Sequence, residues 1–248
     1  MDHQNKIQIY IFSDTDKEIM CCKYTEDVKE IAAGFIDGTI KMFNCNSGYC
    51  TRTLVDEECR MYPGPVTNVK HRPISQSRPF TNTLLSSCWD DTVMCWDDRQ
   101  PYATRFFSGI HMCGEGLDFD KPGKQILTCS WQERDSIQIW DYGTCKLIDT
   151  IVPDIYTSKL CCGKFVPHTN LIICGGSESN LLRVIDINMK ITECMIRNNP
   201  GSVYGFDFGT IRRKETKVPD TYKKIKEIQD SPRVAFVTGK RLQTVDFG

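Results

Sequence analysis

With 248 residues, 40% of them hydrophobic, and a formal net charge of −1, the chain has the size and composition of one globular domain. The near-neutral charge argues against a generally basic nucleic-acid binder. Its start, Met1–Lys6, is polar with no apolar signal region behind it, and no run approaches the roughly 18 apolar residues that would span a membrane.

Short runs of β-formers bounded by turn residues follow one another along the chain. Ile7–Phe12 (IQIYIF) reads as a first strand, followed by Ile19–Tyr24, Glu30–Phe35 and Thr39–Phe43, with Asp37-Gly38 a hairpin signal between the last two. Tyr49–Leu54, Val66–Lys70, Leu84–Cys88 and Thr92–Trp96 come next, and Pro65, Pro73 and Pro79 fall outside these strands, where proline is tolerated. A third set is Ala103–Phe107, Gly116–Phe119, Gln125–Ser130 and Ser136–Trp140. A fourth is Lys146–Ile151, Leu160–Phe165, Leu171–Cys174 and Leu181–Ile185. The fifth is Thr192–Ile196, Val203–Phe208, Arg233–Val237 and Arg241–Val245.

The sets repeat. Trp96-Asp97 and Trp140-Asp141 each close a short strand, and Phe43-Asn44, Ile185-Asp186 and Val245-Asp246 stand in the same place. Successive spacings are 53, 44, 45 and 60 residues; the middle two match the roughly 40–45 residues of a WD-type blade. On these motifs the chain resembles the WD-repeat β-propeller family over nearly its whole length, with two sharp repeats and three degenerate ones. The resemblance implies an all-β fold, a single domain over residues 1–248 and about five recognisable four-stranded blades. In such folds a repeat supplies the outer strand d of one blade, then the strands a, b and c of the next. The last blade lacks its own d strand while Ile7–Phe12 is spare, so closure by the N-terminal strand is expected. Most members of the family have seven blades. A tight five-blade ring, an open ring completed by a partner chain and a piece of a larger propeller therefore stand as alternatives.

The resemblance also assigns structural roles. Trp96 and Trp140 pair with a hydroxyl on strand b (Ser86 or Ser87, and Thr128 or Ser130), with Asp37, Asp90 and Asp135 in the b–c turns. Phe43 stands at the tryptophan position of the first repeat. The histidine expected before strand a is missing throughout, and His111 is its nearest substitute.

Chemistry is sparse. His3, His71, His111 and His168 form no nucleophile–base pattern, and Gly175–Ser179 matches neither a nucleophile elbow nor a phosphate loop. No catalytic residue, metal or cofactor is expected. The 14 cysteines contain no CxxC; Cys45-x4-Cys50 and His111-x-Cys113 are the nearest approaches to a ligand pair. Without a signal peptide these thiols read as reduced, small hydrophobes of the cytoplasm or nucleus. Strand alternation places the members of Cys21/Cys22 and of Cys161/Cys162 on opposite faces.

Binding then falls to the loops. Summed over the d–a and b–c loops, which share the top face of a propeller, there are 14 acids against 6 bases; the opposite face sums to about +3, mostly from the insertion Ile211–Asp230 with seven bases and four acids. Aromatic Trp89 and Trp131 sit where strand b enters the b–c turn, as binding anchors or as packing against the next blade. Asp56, Glu57, Glu58, Arg60, Trp89, Asp91, Trp131 and Arg134 are the expected partner-binding residues. They point to a non-enzymatic scaffold whose partners are proteins with Lys/Arg-rich segments, with neither nucleic acid nor membrane. A propeller enzyme using the central channel is the rival from another class.

Overall fold

A computed structural model describes residues 17–55, 64–73, 82–209 and 233–246. Among them, 19 strands form five antiparallel sheets, each in chain order. The first sheet is β1 (Ile19–Tyr24), β2 (Glu30–Phe35), β3 (Ile40–Asn44) and β4 (Cys50–Leu54). The second is β5 (Val66–His71), β6 (Thr83–Cys88), β7 (Thr92–Asp97) and β8 (Ala103–Ser108). The third is β9 (Leu117–Phe119), β10 (Gln125–Cys129), β11 (Ile137–Asp141) and β12 (Lys146–Thr150). The fourth is β13 (Leu160–Phe165), β14 (Leu171–Gly176), β15 (Leu182–Asp186) and β16 (Ile191–Ile196). The fifth is β17 (Val203–Gly209), β18 (Arg233–Thr238) and β19 (Arg241–Asp246). The first strands of successive sheets pack against one another, β1 on β5, β5 on β9, β9 on β13 and β13 on β17, so they line a common axis. This is a five-bladed β-propeller. The expected closing strand Ile7–Phe12 lies outside the described residues, as do Asp56, Glu57, Glu58, Arg60 and the insertion.

The core sits between blades rather than within them. Ile40, Met42, Val66, Leu84 and Trp96 fill the first interface, and Val93, Phe107, Ile126 and Trp140 the second. Leu127, Ile137, Leu160 and Ile172 fill the third, and Ile173, Val184, Val203 and Phe236 the fourth. Both faces of a middle blade are thus buried. The sheets approach closely at equivalent glycines: a Cβ on Gly34 would lie 2.5 Å from Cγ1 of Val66, and one on Gly175 would lie 2.6 Å from Cγ1 of Val203.

Four of the five blades carry the same irregularity in the same place. The pairing of the third and fourth strands shifts register just before Phe43, Trp96, Trp140 and Ile185, the very residues that echo one another in sequence. A second shift falls at the start of the inner strand, between Ile19 and Cys21, Val66 and Asn68, Leu160 and Cys162, and Val203 and Gly205. At the bulge Cys161 has no ladder partner; its thiol meets Cys113 on the third-blade side while that of Cys162 donates to the Val203 carbonyl of the fifth, so the two take opposite faces as expected, and both are buried because the strand is covered on two sides. Thr39 lies just before the strand expected to include it, its backbone N–H and hydroxyl both donating to Asp37 Oδ1 in the preceding turn.

Candidate interaction site

The structural tryptophans are satisfied within their blades. Trp96 Nε1 donates to Ser86 Oγ at 2.8 Å, and Trp140 Nε1 to Thr128 Oγ1 at 3.1 Å. Phe43 is buried against Ala33 and Phe35. The turn aspartates are busy locally: Asp37 holds Thr39 and Lys17, and Asp90 accepts the N–H and hydroxyl of Thr92. Asp97 and Asp141 close the turns after their strands by accepting from Arg99 and Thr144.

On the top face Trp131 and Trp89 are both open to solvent, at 41% and 53% exposure. Trp131 stands after β10. Its N–H donates to the His111 carbonyl at 2.8 Å, and its indole Nε1 reaches Ser177 Oγ at 3.3 Å. The Lys159 ammonium lies 5.2 Å from the ring centroid. Glu133 and Glu178 flank that ammonium at 3.5 and 3.3 Å. Glu178 first, then Glu133, holds the lysine above its usual range. His111, the substitute for the missing histidine, places Nδ1 2.6 Å from Asp91 Oδ1, and its ring tilts 45° to Trp131 at 6.2 Å. Turns of the second, third and fourth blades therefore meet around one exposed aromatic ring. Trp89 stands apart from this cluster. Arg134 and Asp135 line a separate cavity of about 260 Å³ with Ile137, Ile151, Tyr156 and the buried Arg183. Neither Lys159 nor the His111–Asp91 contact was visible from sequence, because each is made between blades.

The axis holds a second charged set, which sequence reasoning also missed. Lys23, Lys70, Asp118, Lys164 and Asp207 come one from each inner strand, and Glu115 joins them from the loop before β9. Lys23 lies 2.8 Å from Glu115, Lys70 2.7 Å from Asp118, and Lys164 3.0 Å from Asp207. Burial acts against the charge of Asp207, yet Lys164 outweighs it and holds the carboxyl below its usual range. These groups line an axial cavity of about 730 Å³ that opens beside Lys121 and His168. Its opposite charges pair across different blades and so tie them together. Among the described residues, no group of three or more His, Cys, Asp or Glu is placed to hold a metal ion.

Comparison with known proteins accords with this geometry. Residues 56–97 match the family model "WD domain, G-beta repeat". The "Periodic tryptophan protein 2 homolog" of Dictyostelium discoideum is 29% identical over 128 residues, which is 52% of this chain and 13% of that protein. The "COMPASS component SWD3" of Saccharomyces cerevisiae is 29% identical over 143 residues, 52% of this chain and 43% of its own. The "Transcriptional corepressor LEUNIG_HOMOLOG" of Arabidopsis thaliana is 26% identical, over 68% of this chain and 19% of its own. The matched stretches thus span less than half the length of each relative. A chain in "Crystal Structure of Mitotic Checkpoint Complex" shares the fold at a TM-score of 0.67 and 15% identity, covering 95% of this chain and 63% of that one. The fold is a β-propeller. The chain resembles the WD-repeat family, one repeat of which is matched over residues 56–97.

Proposed function

We propose that this protein is a non-enzymatic scaffold that joins a larger protein complex in the cytoplasm or nucleus. In this reading its top face takes a partner segment carrying Lys or Arg. The relatives support the general role: one is named as a component of COMPASS and another as a corepressor. The supporting observation for the site is Trp131, an exposed indole with a lysine over its ring and two carboxylates around that lysine. Lys159 sits where a partner's cation would sit, and two carboxylates against one ammonium leave negative charge for a second cation. Trp89, Asp91 and Arg134 extend the same face.

The test is association kinetics with the protein that co-purifies, at two salt concentrations. Trp131→Ala should raise the off-rate about 30-fold, the cost of losing a buried aromatic anchor. Glu133→Lys with Glu178→Lys should slow association and flatten its salt dependence. Unchanged kinetics in both variants overturn this reading. A second reading, an open ring completed by a partner chain, is favoured by the exposed Ile19, Met20 and Tyr24 on the first sheet and Tyr204, Val237 and Leu242 on the fifth. Binding lost in Tyr204→Ser with Leu242→Ser, and kept in Trp131→Ala, would select it.

A further inference from the structure

Three thiol pairs join neighbouring blades. Cys129 and Cys174 are hydrogen-bonded and wholly enclosed between the third and fourth sheets. Cys113 bonds Cys161 across the same interface. The third pair differs in access and in setting. Cys95 is buried on β7, while Cys145 is half-buried in the turn between β11 and β12, and their sulfurs are 3.7 Å apart.

The turn is held firmly. Cys145 N–H donates to the Asp141 carbonyl at 2.8 Å, and the residue adopts φ 54°, in the left-handed region. Arg105, on β8 of the second blade, donates to the carbonyls of Tyr142 and Gly143, so a guanidinium lies against the turn. A disulfide needs sulfurs at about 2.05 Å, so this pair must close by roughly 1.7 Å, the scale of a side-chain rotation rather than of blade movement.

We propose that Cys145 and Cys95 are a peroxide-oxidised thiol pair that ties the second blade to the third. The Cys145 thiolate attacks one oxygen of a hydroperoxide such as hydrogen peroxide. The O–O bond breaks, and the departing hydroxide takes a proton to become water. Cys145 is left as a sulfenic acid. The Cys95 sulfur then attacks the Cys145 sulfur, the S–O bond breaks, and the leaving oxygen takes the Cys95 proton as a second water. Two thiols lose two electrons and the peroxide gains them. The electrostatics agree with this order of events. The hydrogen bond from Cys95, then Arg105, lowers the Cys145 thiol to about 7 despite its partial burial, and the Cys95 thiol is pushed well up. Cys145 is the attacking sulfur and Cys95 the resolving one.

The test uses the whole chain, exposed briefly to hydrogen peroxide and then alkylated. Non-reducing peptide mapping should give a peptide pair joined through Cys95 and Cys145, and Cys145→Ser should abolish it. In Cys95→Ser a sulfenic-acid probe such as dimedone should label Cys145, about ten-fold faster than the exposed Cys22 and Cys194. If serine at the buried position prevents folding, Cys95→Ala should still give the Cys145 sulfenate, more slowly because the hydrogen bond from Cys95 is lost. A first link between Cys113 and Cys161, oxidation confined to Cys22 and Cys194, or no sulfenate at Cys145 in the folded Cys95 variant would each overturn the proposal.

Discussion

Replacing Asp154 by Asn should destabilise the fold far more than a loop substitution normally does. Asp154 lies in the loop between β12 and β13, and its two carboxylate oxygens stand 3.2 and 3.1 Å from Nη1 of Arg183 on β15. Thr192 donates its hydroxyl to the same carboxylate. The Arg183 side chain is 2% exposed and that of Asp154 18%, so the ion pair is close to fully desolvated at the arginine. Arg183 Nε makes no hydrogen bond, and the carboxylate that pairs with the guanidinium among the described residues is that of Asp154. Removing one partner of a buried pair costs about 3–5 kcal/mol, because the remaining charge stays buried and uncompensated. Water reaches the carboxylate end, and Asn keeps an acceptor there, so about 3 kcal/mol is expected. For a chain of this size each kcal/mol moves Tm by about 2–4 °C, giving a fall of roughly 6–12 °C by calorimetry at neutral pH. The double replacement Asp154→Leu with Arg183→Met removes both charges and should recover most of the loss. A fall of less than about 3 °C for Asp154→Asn would show the guanidinium to be solvated and refute the reasoning.

Two further outcomes follow from buried polar groups. Trp96→Phe removes the indole N–H and leaves Ser86 Oγ buried, which costs about 1–3 kcal/mol beyond lost packing; adding Ser86→Ala should return part of it in urea unfolding. His71 is buried with Nε2 unbonded, and burial lowers its pKa from 6.5 to about 4. A depressed folded-state value means that the unfolded chain takes up the proton first. The histidine's full contribution therefore holds above about pH 6.5, and on the order of 3 kcal/mol is lost as pH falls toward 4. His71→Phe should remove that slope between pH 6.5 and 4 from a series of urea titrations, and a slope identical to the parent's would refute the assignment.

The strands were legible because each is short and bounded by turn residues, most carry β-branched or aromatic residues, and the repeat supplied a register. Strand ends moved by one or two residues at most, as at Thr39 and at Gly176. The structural hydroxyls were narrowed to pairs from sequence, and geometry chose Ser86 and Thr128. The bulge at Cys161 was not legible, since two-residue alternation carries no sign of an extra residue. Nor was the axial set. Lys23, Lys70 and Lys164 look like ordinary outward positions on half-buried strands until the ring brings Glu115, Asp118 and Asp207 to them.

The same limit governs the charge of the top face. Counting acids along loops treats each as free, whereas a partner meets only the charge left after the molecule has neutralised itself. Asp154 is consumed by Arg183, a residue in the middle of a strand that no loop count includes. Glu115 turns to the axis and serves Lys23, and Asp37 serves Lys17. At Trp131 the balance differs in kind, because Glu133 and Glu178 share one ammonium, and that ammonium is itself over the indole. Unlike Asp154, both of these carboxylates are largely exposed, at 73% and 50%. Their interaction with Lys159 is therefore weak and exchangeable, as a surface pair is. An incoming guanidinium with better hydrogen-bond geometry can displace Lys159 at small cost and take both the ring and the carboxylates. On the proposed reading Trp131, rather than the most acidic loop, should carry most of the affinity, with long-range charge left to set the rate of encounter.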